Sequence, residues 1–109
     1  MLRTKTGKTP QKFISVISCG DSMFPTLKYG EIIKIATIKN CTYNDVRIGE
    51  IVTYWSNGFN RYGKHRFWHK ANVCHRIVGK TTSYALIKGD NRKYIEKVYY
   101  DKINGRLVC

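Results

Sequence analysis

The sequence predicts a mainly β fold in a single domain. Its apolar residues occur in short runs of about four to eight, rich in valine, isoleucine and aromatic residues, and bounded by glycine, asparagine and aspartate. No window of about 10–12 residues has the apolar period of an amphipathic helix. A chain of 109 residues falls in the size range of one domain and is long enough to bury one core.

The N-terminal residues differ in composition from the rest of the chain. Residues 1–12 contain four basic residues, a glycine and a proline, and no acidic residue. Such a segment has little apolar surface to bury and is expected to be mobile. We therefore divide the chain into a flexible basic arm, residues 1–12, and a folded domain, residues 13–109.

The first three predicted strands each adjoin a glycine-containing turn. Residues 13–19 mix β-branched and aromatic residues and end at a Gly-Asp pair. The second strand, residues 31–36, begins at the glutamate of Tyr29-Gly30-Glu31, and the third strand, residues 47–55, contains the similar Ile48-Gly49-Glu50. This echo indicates that the same turn into a strand is used twice.

Four further strands are predicted in the second half of the chain. A hairpin turn at residues 81–83 is expected to join strand 73–79 to strand 84–88 in antiparallel orientation. The last two strands, at residues 97–100 and 105–108, are expected to close the sheet.

The chain is organised around the turn at residues 19–27, CGDSMFPTL. Ser22 follows the Gly-Asp pair at the end of the first strand, and Pro25 restricts the backbone of the residue before it. One interpretation is a serine hydroxyl held on a rigid turn for chemistry. The other is a serine that only hydrogen-bonds to its own backbone.

Four stretches resemble the signal-peptidase/LexA-like serine peptidases and occur in the family's order. Residues 20–31, GDSMFPTLKYGE, resemble the family's nucleophile box, through Ser22-Met23-Phe24-Pro25. The other stretches resemble a Gly-Asp-Ile-Val strand start, a base-bearing strand and a Gly-Asp-Asn segment: residues 48–52 (IGEIV), 74–79 (CHRIVG) and 88–91 (KGDN). The four stretches lie within residues 20–91, and with the strands around them the resemblance covers roughly residues 13–108. The resemblance implies a signal-peptidase-like catalytic domain with a coiled β fold, and a serine endopeptidase activity.

The resemblance assigns Ser22 as nucleophile and His75 as general base. A serine hydroxyl is a poor nucleophile until a neighbouring base accepts its proton. Bacterial members of the family use lysine at the position of His75, so this chain is closest to the Ser-His branch of archaea and the endoplasmic reticulum. Histidine suits the role because its ordinary pKa is near 6.5, whereas a lysine must be desolvated to be neutral at pH 7.

Two acids are candidates for the group that orients His75. A carboxylate beside a catalytic histidine fixes its tautomer and stabilises the imidazolium. Asp90, in the Gly-Asp-Asn segment, is the first candidate, and Glu96 is the second because family members often place another acid several residues later. Asp101 is a more distant third. Asp90 would also suit a plain turn and Glu96 a solvated surface, so the choice stays open.

The resemblance also suggests how a peptide would bind. Met23, Pro25 and the strand at residues 13–19 are expected to contact an extended peptide by strand addition, with small residues before the cut. The backbone N–H of Ser22 is the expected first oxyanion donor. Gly20 stands where many signal peptidases have a small hydroxyl residue, which leaves the second donor open. No self-cleavage site is recognised before Ser22, so we expect cleavage of other chains.

An alternative function follows from the charge. Twenty Lys and Arg against seven Asp and Glu give a formal net charge of +13, which favours anionic partners. Residues 56–70 interleave aromatic residues with cations, a composition that stacks bases or enters an anionic membrane interface. The alternative is therefore a catalytically inactive basic module that binds nucleic acid or an anionic membrane surface through residues 56–70. A loop whose aromatic residues pack on the domain is the third interpretation.

Neither a cofactor nor a metal is expected. The cysteines have no C-x-x-C spacing and are interpreted as reduced, small apolar residues: Cys19, Cys41, Cys74 and Cys109. His65 and His69 are four residues apart, but no acidic residue lies near them in the sequence.

No apolar run approaches the ~20 residues that span a bilayer, and the N-terminus lacks the apolar stretch of a secretory signal. We expect a cytoplasmic protein whose partner is a protein or peptide substrate. Peripheral membrane association, a membrane-anchored partner subunit, nucleic acid and the oligomeric state stay open.

Overall fold

The structure is a computed structural model that describes residues 12–18, 20–57 and 70–108. These residues form a mainly β domain, as predicted. The strands are β1 (Phe13–Ile17), β2 (Ile32–Thr37), β3 (Ile51–Asn57), β4 (Lys70–Lys80), β5 (Tyr84–Lys88), β6 (Glu96–Tyr99) and β7 (Ile103–Leu107). Two 3-10 turns, Tyr43–Asp45 and Tyr100–Lys102, are the helical segments of the described chain. No helix in these ranges has the length and apolarity needed to cross a bilayer.

The seven strands form one antiparallel sheet in the order β1-β2-β7-β3-β4-β5-β6. The prediction that the last two strands close the sheet is wrong for β7, which lies between β2 and β3. The cause is pairing between strands distant in the sequence, which local composition does not encode. Among the described strands, β6 and β1 lie at the two edges of the sheet.

Two strand boundaries differ from the predictions in ways that matter for the site. The third strand begins at Ile51 instead of residue 47, because Gly49 has φ +97° and belongs to the preceding turn. β6 begins at Glu96, one residue earlier than predicted, and pairs Glu96 with Ile87 of β5. Glu96 is therefore part of the sheet.

The echo between the turns before β2 and β3 is confirmed in detail. In the first turn, Glu31 N–H donates to the Lys28 carbonyl at 3.1 Å, and the Glu31 carboxylate accepts from Lys28 N–H at 3.0 Å. Glu50 makes the same pair of hydrogen bonds with Arg47, at 3.1 and 2.7 Å. In both turns the residue before the glutamate is a glycine with positive φ, as this turn geometry requires.

Close packing in the centre of the sheet depends on Gly105 of β7. A Cβ at residue 105 would lie 2.6 Å from Cγ2 of Ile35 and 2.7 Å from Oγ1 of Thr53. Glycine therefore lets side chains of the two flanking strands approach over β7.

The buried residues form two clusters. The larger contains Cys41, Val46, Val52, Tyr54, Ile77, Ala85, Ile87, Val98, Tyr100 and Ile103. The smaller contains Met23, Leu27, Ile33, Ile35 and Ile51. Because the smaller cluster includes Met23 and Leu27, it anchors the turn that carries Ser22.

Candidate active site

Ser22 lies on a tight turn after β1. Gly20 has φ +79°, a conformation that favours glycine. Two hydrogen bonds then close the backbone around Ser22 and directly after it: Phe24 N–H donates to the Asp21 carbonyl at 3.1 Å, and Leu27 N–H donates to the Met23 carbonyl at 2.9 Å. The Ser22 side chain is half-buried and has a restrained backbone.

A second turn, between β5 and β6, fastens the Ser22 turn. The backbone N–H of Asn91 donates to the Ser22 carbonyl at 2.7 Å, and the Asn91 side-chain amide donates to the Asp21 carbonyl at 2.9 Å. Arg92 and Asp21 form an ion pair at 2.6 Å. The Gly-Asp-Asn segment therefore positions the serine through backbone contacts.

His75 lies on β4 opposite Val52 of β3. Its Nε2 is 3.0 Å from Oγ of Ser22, which is hydrogen-bonding distance. The structure thus brings together two residues that are 53 positions apart in the sequence. Burial lowers the pKa of His75 below its ordinary 6.5, an effect that Glu96 opposes and Arg92 reinforces. The imidazole is consequently neutral near pH 7.

A tyrosine connects His75 to Glu96. The Tyr54 hydroxyl oxygen lies 2.9 Å from Nδ1 of His75 and donates its proton to Oε1 of Glu96 at 2.6 Å. Burial, followed by the hydrogen bond and charge of Glu96, raises the pKa of Tyr54 above its ordinary 10. The hydroxyl therefore keeps its proton. Ser22, His75, Tyr54 and Glu96 form one continuous chain of hydrogen bonds.

Asp90 makes different contacts. Its two oxygens accept from Nε and Nη2 of Arg76 at 2.9 and 2.8 Å, and Oδ2 also accepts from the Thr26 hydroxyl at 2.6 Å. The Arg76 hydrogen bonds hold the pKa of Asp90 at about 2. Arg76 follows His75 directly on β4, so the two side chains point to opposite faces.

Of the two candidate acids, Glu96 is in line with the imidazole and Asp90 fastens Arg76. Asp101 lies exposed in the second 3-10 turn.

Met23 and Pro25, the predicted substrate contacts, occupy different environments. Met23 is 4% exposed, and its sulfur accepts a hydrogen bond from Asp90 N–H at 3.2 Å. It supports the turn from within the core. Pro25 is exposed and follows Phe24, which is half exposed, through a cis peptide bond. Direct contact of either predicted residue with a peptide stays a prediction.

Cys74 is half-buried beside His75. Burial raises the pKa of the Cys74 thiol to about 11, so it remains a thiol at neutral pH. Cys41 is buried in the larger core cluster.

Most of the basic aromatic segment proposed for the alternative function lies outside the described residues, which omit 58–69. His65 and His69 are among these residues. Residues 1–11, which make up most of the predicted basic arm, also lie outside the described residues. Among the residues that are described, no group of three or more His, Cys, Asp or Glu side chains is placed to hold a metal ion.

Sequence reasoning missed Tyr54. The third predicted strand, residues 47–55, contains this tyrosine, but no role was assigned to it. A signal was available: a tyrosine within an apolar strand needs a hydrogen-bond partner for its hydroxyl when it is buried. Identifying that partner required the register of β3, β4 and β6.

Comparison of the chain with protein-family models, curated proteins and solved structures gives no match.

Proposed function

We propose that this protein is a serine endopeptidase of the signal-peptidase/LexA-like kind, with Ser22 as nucleophile and His75 as general base. The observation that supports the proposal most directly is the 3.0 Å contact between Ser22 Oγ and His75 Nε2. A nucleophilic hydroxyl within hydrogen-bond reach of a neutral, half-buried imidazole is the arrangement that acyl transfer requires.

The reaction begins when Ser22 Oγ attacks the carbonyl carbon of the scissile peptide bond and gives its proton to His75 Nε2. The tetrahedral intermediate collapses, the C–N bond breaks, and Nε2 gives that proton to the departing amine. Water then attacks the acyl ester, again losing a proton to Nε2, which returns it to Ser22 Oγ as the carboxylic product leaves. Each half-reaction uses His75 first as base and then as acid.

The oxyanion of each intermediate needs donors close to Ser22 Oγ. The backbone N–H of Ser22 is the first proposed donor, because a rigid turn pays no reorganisation cost during the reaction. The restraints on this turn, from the 89–92 turn on one side and from buried Met23 and Leu27 on the other, favour such preorganisation.

An extended peptide would bind beside β1. This strand is an edge of the sheet and leads directly into the Ser22 turn, so its outer edge is suited to strand addition. Phe13 and Ile17 on β1 are 59% and 64% exposed and would contact such a peptide. We propose the coiled β fold of the family for this domain, and a protein substrate cut after small residues.

The test uses a reagent and a peptide panel together. A fluorophosphonate probe should label the native protein at Ser22, and peptides with small residues before the scissile bond should be cleaved. Ser22→Ala should abolish both, and His75→Gln should lower turnover at least ~1000-fold. Ser83→Ala, which removes an exposed hydroxyl from the β4–β5 hairpin, is the matched control and should be silent.

A protein that is folded but neither labelled nor active on any peptide would contradict the proposal. The basic binding module would then be the function to pursue, through the salt dependence of nucleic-acid or vesicle binding.

A further inference from the structure

We propose that Tyr54 is a positioning residue that holds His75 in the tautomer needed for catalysis and couples it to Glu96. The inference rests on the proposed roles of Ser22 and His75. It starts from one geometric fact: the Tyr54 hydroxyl lies between His75 Nδ1, at 2.9 Å, and Glu96 Oε1, at 2.6 Å.

Counting protons assigns the tautomer. A tyrosine hydroxyl has one proton, and a carboxylate can only accept. The Tyr54 proton is therefore committed to Glu96, and its oxygen is left as an acceptor facing Nδ1. His75 must then donate through Nδ1–H. Because a neutral imidazole has only one N–H, Nε2 presents its lone pair to the Ser22 hydroxyl.

The sheet register fixes these side chains on one face. His75 is opposite Val52, and Tyr54 is two residues further along β3, so both side chains project from the same face. Ile77 of β4 pairs with Ile87 of β5, which pairs with Glu96 of β6. Glu96 therefore projects from that face, on a strand two positions away from β4 in the sheet. The Tyr54 hydroxyl contacts both His75 and Glu96 and so bridges their side chains.

Tyr54 is the most buried member of the chain of hydrogen bonds. Its side chain is 1% exposed within the larger core cluster, and its ring meets the imidazole edge-on at a centroid distance of 6.0 Å. Core packing restricts the position of the Tyr54 ring, and the rigid ring in turn sets the position of its hydroxyl oxygen. The orientation of His75 is thereby determined by the core, without a direct carboxylate contact among the described residues.

The arrangement also serves the imidazolium that forms when Nε2 takes the Ser22 proton. Nδ1–H continues to donate to the Tyr54 oxygen, and the Glu96 charge stabilises the cation through the polarised hydroxyl. No proton needs to leave Tyr54. Asp90 is not part of this chain of hydrogen bonds, since its oxygens accept from Arg76 and Thr26 instead.

The first test compares Tyr54→Phe with Tyr100→Phe. Tyr100 is a second buried tyrosine, whose hydroxyl lies within hydrogen-bonding distance of the carbonyl oxygens of Thr81 and Tyr84. Each variant loses one buried hydroxyl, but of the two hydroxyls only that of Tyr54 contacts His75. Tyr54→Phe should lower kcat tenfold to a hundredfold, part of the ~10²–10⁴ that a general base supplies, with KM little changed. Tyr100→Phe should leave both parameters unchanged.

The pH profile separates positioning from stability. The charges that act on the imidazole come from Glu96 on β6 and from Asp90 and Arg92 on the turn before it. Removing the Tyr54 hydroxyl leaves Nδ1–H without its acceptor and uncouples Glu96. The acid limb of kcat should therefore move to lower pH in Tyr54→Phe and stay in place in Tyr100→Phe. Equal profiles and equal kcat in the two variants would overturn the inference.

A second measurement does not depend on activity. The ¹⁵N chemical shifts of His75 in the native protein should show a protonated Nδ1 and an unprotonated Nε2 at neutral pH, and Tyr54→Phe should lose this preference. A native Nε2–H tautomer would overturn the inference, even if Tyr54→Phe fails to fold. If no peptide is cleaved but the Nδ1–H tautomer is present and depends on Tyr54, the proposed function fails and the positioning role of Tyr54 stands.

Discussion

Gly89 lies against the backbone of Ser22. A Cβ at residue 89 would come within 2.7 Å of the Ser22 carbonyl oxygen and within 3.2 Å of Cδ2 of His75. The same carbonyl accepts the hydrogen bond from Asn91 that fastens the two turns together. The absence of a side chain at residue 89 thus lets the β5–β6 turn approach both members of the Ser-His pair.

Gly89→Ala should therefore displace Ser22 relative to His75. Because the contacting atom is a backbone oxygen and cannot rotate away, we expect turnover to fall at least tenfold and the free energy of unfolding to fall by ~1–3 kcal/mol. Gly79→Ala is the control: its Cβ would meet the end of the Leu86 side chain at 3.1 Å, which can shift. Denaturant unfolding and peptide cleavage should be measured together. Equal effects of the two substitutions would contradict the assignment.

The acid limb of kcat/KM should lie below pH 6.5. The proposed base, His75, can accept a proton only when it is neutral, and burial lowers its pKa, so activity should persist at a pH where a solvated imidazole would already be protonated. Glu96→Gln removes the charge that opposes this shift and should move the limb to still lower pH. Glu31→Gln, in the exposed turn before β2, should not move it. An acid limb above pH 6.5 in the native protein would argue against a buried base.

Asp90 should contribute to stability in a defined pH window. Its pKa of about 2 is below the ordinary 3.8, so its contribution is full above about pH 4 and is lost as the pH falls towards 2. Asp90→Asn should lower the free energy of unfolding at pH 7 by ~1–3 kcal/mol, because Arg76 loses its charged partner. The loss is limited because the amide oxygen of asparagine can still accept one hydrogen bond from Arg76. The difference from the native protein should shrink near pH 2. Asp101→Asn, at an exposed site, should have little effect at either pH. A constant difference would contradict the linkage.

Lys80 should stabilise the fold without affecting the site. Its ammonium group donates to the carbonyls of Tyr43 and Val46 at 2.8 and 2.7 Å, and lies 3.8 Å from the centre of the Tyr43 ring. Lys80→Met should cost ~1–3 kcal/mol of unfolding free energy, because two carbonyls lose a charged donor. The ammonium group of Lys97 is 4.8 Å from the centre of the Tyr84 ring. Lys97→Met should therefore lower the unfolding free energy much less. Reduced labelling of Ser22 in Lys80→Met, beyond the unfolded fraction, would contradict a purely structural role.

The sequence by itself determined the local features of this protein. Short β-branched runs bounded by turn residues identified the strands, since strand propensity and turn chemistry are properties of neighbouring residues. The order of motifs selected Ser22, His75, Asp90 and Glu96 as candidates, and the repeated Gly-Glu turn was recognised from its residues alone.

Only the tertiary structure decided how these features meet. The insertion of β7 between β2 and β3, the 3.0 Å contact between Ser22 and His75, and the Tyr54 hydroxyl between His75 and Glu96 all depend on strand register. Register is set by pairing across the sheet and by the burial of one face, so a shift of one residue would turn His75 away from Ser22. The same non-local pairing places Asp90 against Arg76, and it connects Glu96 to the imidazole through Tyr54.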